Sequence, residues 1–463
     1  MSEKKRYFGT DGIRGVAGEA PLDAATVYAI GLALGDDLLR RGGQGAVVIG
    51  EDTRRSSRGI AAQLAAGLEA RGLEVAHAGV LPTPGIAHLA ARGGFRAGIV
   101  ISASHNPYQD NGIKVFDAGG YKLPDEEEAE IENGIERYRG QAPGAPATLR
   151  EQPELRAAYV SALAGRFRKV DFARLRLVLD CGHGAASSVI GPLCEALGIH
   201  AHLLAAAPDG RNINDGVGAL YPAAMAEHVR RAGADAGVAL DGDADRAILA
   251  DASGHIITGD SVLLLAAREL QAQGRLQPPI VVGTVMTNFG LETALAAQAI
   301  RLERSAVGDK YVLERMRACG APLGGEPSGH VIFGGDATTG DGLLTALHCF
   351  ALMAQKRQSL RALCQGWQAL PQTVVNVRVA KKAPLATLAD TQAAIRDAER
   401  EFAGRGRVLV RYSGTEMLAR VMVEAPDAAA VQKHVHAIAV ALQRDLAGAN
   451  GERATYSGNS EMS

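Results

Sequence analysis

The sequence predicts an α/β protein of several domains, and three observations carry that expectation. Short, continuous apolar strands recur along the 463 residues. Several end in a polar, glycine-containing loop, and alanine- and leucine-rich amphipathic stretches lie between them. Buried strands alternating with helices are the signature of α/β layers. A chain of this length is also too long for one core, so it divides into several domains.

In chain order, Ala46-Val-Val-Ile-Gly50 runs into Glu51-Asp-Thr-Arg54, and Gly98-Ile-Val-Ile101 into Ser102-Ala-Ser104-His105-Asn106-Pro107. Leu175–Leu179 precedes Asp180–Gly184, and Ala239-Leu240 precedes Asp241-Gly-Asp243-Ala-Asp245-Arg246. Ile280–Gly283 leads into Thr284–Asn288, and Val408–Val410 into Arg411–Glu416. Thr26–Arg41 and Gly59–Arg71 are examples of the helical stretches. Functional loops in such folds gather at the carboxyl ends of strands. The recurrence reads as repeated α/β modules, although no fixed-period sequence repeat is visible. Gly140–Ala147, rich in proline and glycine, is a surface connection, and Gly366–Thr373 joins a smaller last domain.

Composition narrows the function. The net charge of -2, with no long basic run, argues against nucleic acid and against an anionic membrane surface. The amino terminus has no apolar signal segment, and no apolar run approaches the roughly 20 residues that span a bilayer. Five scattered cysteines without C-x-x-C spacing offer neither a zinc site nor a disulfide framework, which points to a reducing cytoplasm. The 56 glycines exceed ordinary usage of roughly 7% and imply many backbone-shaped loops.

Two segments read as halves of one phosphoryl-transfer site. Asp241, Asp243 and Asp245 sit two apart, so a tight loop converges their carboxylates into a hard-oxygen seat for Mg²⁺. An EF-hand is excluded, because Arg246 and Ala252 stand where glycine and glutamate are needed. A solvated acidic turn is the plainer alternative. Ser104, at the end of an apolar strand, is a candidate phosphate carrier, or else a turn residue. His105 is a general base or a loop-stabilising imidazole. Lys114 lies near enough in sequence to fold over the same site, or is a surface lysine.

Arg411-Tyr-Ser413-Gly414-Thr415-Glu416 combines a guanidinium, two hydroxyls and a glycine, the parts of a phosphate cradle or of a capped β-turn. Gly324-Gly-Glu326-Pro-Ser328-Gly-His330 suits sugar hydroxyls, and equally suits a structural turn. Gly182-His-Gly184 lacks the third glycine of a dinucleotide loop. No G-x-x-x-x-G-K-[ST] sequence occurs, so nothing supports ATP as a direct substrate.

Phe8-Gly-Thr-Asp-Gly-Ile-Arg14-Gly15, the Ser104 loop, the aspartate triplet, the Glu326 loop and the Arg411 loop occur in the order of the α-D-phosphohexomutases, which this chain resembles over roughly residues 5–445. Val307-Gly-Asp-Lys-Tyr311 and Asp336-Ala-Thr-Thr-Gly-Asp-Gly342 resemble the amino-sugar branch of that family.

The resemblance implies three similar mixed-sheet α/β domains and a smaller α+β domain around a central cleft. They would be 1–155 with the phosphoserine loop, 156–256 with the metal loop, 257–368 with the sugar loop and 369–448 with the phosphate loop, before a flexible tail at 449–463. It implies a phosphorylated Ser104, with one Mg²⁺ per subunit held by that group and Asp241, Asp243 and Asp245. Glu326 and Ser328 would grip the sugar, and Arg411, Ser413, Gly414 and Thr415 its distant phosphate. Arg14, His105, Lys114, Arg246 and His330 would line the reacting end, with Lys114 the acid/base.

The implied reaction interconverts glucosamine 6- and 1-phosphates through glucosamine 1,6-bisphosphate, in a cytoplasmic homodimer that feeds UDP-N-acetylglucosamine and cell-wall synthesis. The same chemistry on glucose or mannose phosphates, a Mg²⁺-dependent sugar phosphatase, and a non-catalytic sugar-phosphate binder are the alternatives. Two positions depart from the family pattern: Pro327 stands where the amino-sugar branch commonly has glutamine, and Met417 where proline is usual.

Overall fold

The computed structural model describes residues 6–413, 417–446 and 456–458. Two compact units emerge: Met1–Met286 with Ala299–Gln365, and Thr287–Gln298 with Gly366–Ser463.

The first unit contains three mixed sheets built on one plan. In the first, the parallel strands Val75–Val80, Val47–Glu51 and Ala97–Ile101 are extended by Asp110–Asp117, antiparallel to the last of them, and then by Gly12–Val16 and Phe8–Gly9. In the second, the parallel strands His200–Leu204, Arg176–Asp180 and Ala236–Leu240 are followed by antiparallel Ala247–Asp251 and Ile256–Ile257. In the third, the parallel strands Arg301–Ser305, Ile280–Thr284 and Leu323–Gly325 are followed by antiparallel Val331–Phe333.

Each sheet therefore contains one place where a parallel strand turns back on an antiparallel neighbour. Those turns are the Ser104 loop, the aspartate loop and the Glu326 loop. The sequence expectation of repeated modules is met at the level of topology.

Burial explains the continuous apolar strands. Val48, Ile99, Val100 and Ile101 are fully buried, as are Val238, Ala239, Val281 and Val282. Fully burying such a Val or Ile side chain contributes about 1.5–3 kcal/mol. Helix Ala24–Arg41 begins where the Asp23 carboxylate accepts the N–H groups of Ala25 and Thr26 at 3.1 and 3.0 Å. Its apolar stripe, with Ile30 and Leu34 fully buried, packs into the core of the first sheet.

The second unit is an antiparallel sheet in the order Arg407–Tyr412, Leu418–Glu424, Gln372–Arg378, Tyr456–Gly458, with helices Ala389–Phe402 and Ala428–Leu446. It also takes in helix Phe289–Ala296, which lies in sequence among the strands of the third sheet. The Asn288 side chain explains this: it accepts the Leu370 N–H at 2.9 Å and donates to the Leu370 carbonyl at 3.0 Å. Of the tail expected after Ala449, Tyr456–Gly458 forms the edge strand, and the rest lies outside the described residues. Among the described residues no helix is long and apolar enough to cross a membrane.

Candidate active site

Ser104 sits at φ +52°, a left-handed conformation costly for a non-glycine residue. Its surroundings enforce this geometry. The Ser104 N–H donates to Ser102 Oγ at 2.9 Å, and its carbonyl accepts from Arg54 Nη2 at 2.8 Å and Asn214 Nδ2 at 2.9 Å. Arg54, fully buried, also donates to the carbonyls of Asn106, Pro107 and Asp110, and its Nε meets Asp52 Oδ2 at 2.8 Å. One guanidinium thus braces the whole loop through its backbone. Across from it, a Cβ on Gly242 would lie 2.6 Å from the Ser104 carbonyl oxygen, so only glycine lets the aspartate loop close on the serine loop.

That closure aims the hydroxyl at the carboxylates: Ser104 Oγ donates to Asp241 Oδ2 at 2.6 Å. Asp243 Oδ2 accepts from Thr83 Oγ1 at 2.5 Å and from Lys114 Nζ at 2.8 Å. Ligand oxygens of the three aspartates lie within 4.8 Å of one another. Asp243 Oδ1 and Asp245 Oδ1 are buried without a hydrogen-bond partner. Unpaired buried carboxylate oxygens are expensive, and a hard divalent cation satisfies both, so the donor set fits Mg²⁺. Burial and then the neighbouring Asp245 and Asp243 charges push Asp241 well above the usual carboxylate range. Burial also pushes Asp245 up, but Lys114 and His330 outweigh it and hold that group well below the range. A second cluster, Asp245, Asp309 and His330, also brings ligand atoms together. There Asp309 already takes Lys122, and His330 Nε2 takes the Gly340 N–H at 3.1 Å, which leaves the triplet as the better seat.

Lys114 is no surface lysine. It is buried, with Asp11 at 2.9 Å, Asp243 at 2.8 Å and Asp245 at 3.6 Å around its ammonium. Burial lowers its pKa, but these three carboxylates outweigh that and raise it well above the ordinary value. Asp11 is shared with Lys122 and Arg14, and Lys122 reaches on to Asp309. His330 keeps its Nδ1 proton toward Asp245 Oδ2, 3.6 Å away, because Nε2 accepts from Gly340. His105 lies between Ser104 Oγ, at 3.4 Å, and Arg246 Nη1, at 3.1 Å. Burial, and then Arg246 and Arg14, lower it to about 4, so its imidazole is neutral near pH 7.

Arg14 Nε and Arg246 Nε are buried without hydrogen-bond partners, although Arg246 Nε lies 3.8 Å from Asp245 Oδ1. Glu326 is buried and accepts the Gly308 N–H at 3.1 Å, while Ser328 in the same loop is exposed. The first unit therefore gathers Ser104, His105, Lys114, the three aspartates, Arg246, Arg14 and His330 into one network. Carboxylate oxygens and guanidinium N–H groups without hydrogen bonds stand together there, as a bound cation and a bound anion would require.

In the second unit Arg411 stands directly opposite Arg420 in the antiparallel pair. Burial and then Arg420 lower the pKa of Arg411. Like charges across a ladder destabilise it, and Arg420 Nε is buried without a partner. Both features fit an anion seat. Ser413 is buried, and its carbonyl accepts from Lys382 at 2.5 Å. Gly414 and Thr415 lie outside the described residues.

Sequence reasoning did not select Arg54, Asn214, Asp11, Lys122, Asp309 or Arg420. Asp11 and Asp309 lie inside segments already quoted for the family resemblance. Only the register of the last sheet exposes Arg420.

Four family models cover most of the chain. They are the phosphoglucomutase/phosphomannomutase α/β/α domains I (residues 5–142), II (157–254) and III (258–370) and the C-terminal domain (374–441). A phosphoglucosamine mutase of Koribacter versatilis is 50% identical over 451 residues, 96% of this chain and 97% of the relative. One from Deinococcus radiodurans is 46% identical, over 97% and 100%. A phosphoglucomutase/phosphomannomutase family protein of Burkholderia thailandensis superposes with TM-score 0.79 at 27% identity, covering 95% of this chain and 98% of that one. The Aspergillus fumigatus N-acetylphosphoglucosamine mutase, solved with GlcNAc-6P and magnesium, shares the fold with TM-score 0.64 at 18% identity, over 96% and 97%. The chain belongs to the phosphoglucomutase/phosphomannomutase family, the α-D-phosphohexomutases, and is an enzyme of the isomerase class. Within that family its likeness runs to the phosphoglucosamine mutases over nearly its whole length.

Proposed function

We propose that this enzyme interconverts glucosamine 6-phosphate and glucosamine 1-phosphate through a phosphorylated Ser104 and a sugar 1,6-bisphosphate. The observation that carries the proposal is Ser104 Oγ, 2.6 Å from Asp241 of the buried aspartate triplet, in a network with Arg14 and Arg246, whose Nε groups make no hydrogen bond. Near-full-length likeness to phosphoglucosamine mutases supports the amino sugar as substrate.

In this reading Asp241, Asp243 and Asp245, with the Ser104 phosphate, would hold Mg²⁺, which when bound offsets negative charge on the transferring phosphoryl group. The sugar hydroxyl oxygen bonds to phosphorus while the Ser104 Oγ–P bond breaks. The hydroxyl surrenders a proton as Oγ gains one, so no net proton is consumed. Lys114, held as the cation by Asp11, Asp243 and Asp245, is the acid that protonates the departing Oγ and then takes back the proton that the attacking hydroxyl surrenders, so that it ends as the cation again. Arg14, Arg246 and His330 steady the phosphoryl oxygens, and neutral His105 accepts from Arg246 and keeps it aimed.

Glu326 and Ser328 grip sugar hydroxyls. Arg411, Ser413, Gly414 and Thr415, with Arg420, clamp the phosphate that is not reacting and so set the hydroxyl in line. Each task belongs to one domain, with boundaries near residues 155, 256 and 368. The reading carries with it a cytoplasmic homodimer that supplies UDP-N-acetylglucosamine synthesis.

The test is kcat/KM for glucosamine, glucose and mannose 6-phosphates, with Mg²⁺ and serine-phosphorylated enzyme. A preference of about a hundredfold for the amino sugar is expected. A preference for a neutral hexose would overturn the substrate assignment, leave the chemistry standing and direct attention to Pro327.

A further inference from the structure

A cavity of about 150 Å³ opens in the first unit between helix Thr83–Arg92, helix Pro153–Phe167 and the loop 334–341. The phosphoryl-transfer residues do not line it. His88, Arg92 and Arg166 border it, with Thr338 and Thr339. Two carboxylates are also present, and both are engaged. Asp336 accepts Arg166 Nη1 at 2.5 Å and faces Arg275 at 3.6 Å and His348 at 3.4 Å. Asp341 accepts the Tyr159 hydroxyl and the Leu344 N–H, each at 2.9 Å.

Arg92 forms no ion pair among the described residues, so its guanidinium is available to a ligand at the cavity. Burial, and then Arg166 and Arg92, lower the pKa of the His88 imidazole, so this group senses the charge of both arginines.

Two walls of the cavity touch the reacting network. The loop that contributes Thr338 and Thr339 continues into Gly340, whose N–H holds His330 Nε2. A Cβ at Gly340 would lie 2.5 Å from that imidazole, so loop and ring are pressed together. Tyr121, on another wall, precedes Lys122, the bridge between Asp11 and Asp309.

We propose that this cavity is a second anion site, taking a small phosphate- or carboxylate-bearing metabolite against Arg92 and the Thr338–Thr339 hydroxyls, and that its occupancy is transmitted to His330 through Gly340. An arginine beside hydroxyl donors suits either anion.

Inorganic phosphate is the probe. The His88 Cε1–H resonance, assigned by its disappearance in His88→Gln, is followed at constant pH during a phosphate titration. A saturable shift, lost in Arg92→Ala, is expected; no shift, or the same shift in the variant, would overturn the site. Arg92 is exposed, so Arg92→Ala retains the fold. Repeating the titration with malonate separates a carboxylate ligand from a phosphate.

A kinetic arm, which rests on the mutase reading, measures kcat at saturating substrate with and without phosphate. A change of at least twofold is expected in the natural enzyme and none in Arg92→Ala. An effect confined to KM and shared by both proteins is competition at the transfer site and overturns the transmission. Because the resonance shift needs no turnover, failure of the site and failure of the mutase reading are distinguishable.

Discussion

In the proposed reaction the serine loop and the Arg411 strand would both meet phosphate, and they are built in opposite ways. Around Ser104 nearly every charge has an opposite charge beside it. Lys114 lies among three carboxylates, Asp11 among three cations, and Arg54 spends its donors on four carbonyls and Asp52. At Arg411 the cross-strand neighbour is another arginine, and among the described residues no carboxylate pairs with it. The reacting end is organised before substrate arrives, as catalysis by fixed dipoles requires. The Arg411 end sets two like charges side by side, a repulsion that the proposed phosphate would relieve.

The contrast is sharpest for the nucleophile. Ser104→Ala should leave the fold intact and lower sustained turnover by about 10⁴-fold or more; ordinary activity in a coupled assay would remove the carrier from the scheme. Next is Arg54→Ala, which leaves the buried Asp52 without its cation and removes a hydrogen bond from each of four carbonyls. A loss of about 3–5 kcal/mol in urea unfolding is expected. A cost below about 1 kcal/mol would mean that the loop is held by other contacts.

Asp341 gives a pH test in the pre-organised unit. Burial raises its carboxyl from 3.8 to about 6, against the hydrogen bonds from Leu344 and Tyr159. Because the folded pKa lies above the unfolded one, its contribution is complete below about pH 4 and is lost as pH rises through about 6, on the order of 3 kcal/mol at most. Asp341→Asn should remove that slope, so that over pH 4–6 the variant gains on the natural enzyme in unfolding midpoint. Parallel curves would refute the assignment.

The smallest energy belongs to the other region. Arg411→Ala should lower kcat/KM by about 10–100-fold, the value of a charged hydrogen bond or two. Without phosphate it should leave Tm unchanged or slightly higher, because Arg420 loses a like-charged neighbour. A fall in Tm would show that Arg411 serves the fold, and the comparison would collapse.

Much of this was legible in the sequence where chemistry and chain order coincide. Ser104 and the aspartates each follow an apolar strand within a few residues, so local reading found them. Lys114 was placed near Ser104, but only the fold shows that it lies among Asp11, Asp243 and Asp245, contributed by segments more than 100 residues apart. Arg54 escaped notice because its partners are carbonyl oxygens, which every residue has. Arg420 is visible only through strand register, which sequence leaves open at this length. The repeated modules were seen as alternating strands and helices, but not the shared turn to an antiparallel neighbour that puts each functional loop in the same topological place.

The Asn288–Leu370 clamp governs how the molecule can be dissected. A single cut near Gly366 would give a fragment lacking helix Phe289–Ala296 and would leave the Leu370 backbone without its side-chain partner. The remaining piece would carry that helix with its own anchor gone. The C-terminal unit is thus assembled from two stretches of chain, and during synthesis its first part is made some 70 residues before the second, counting from Gln298 to Gly366. Phosphate-binding fragments and domain exchanges must carry both stretches, or they will report the stability of a broken unit.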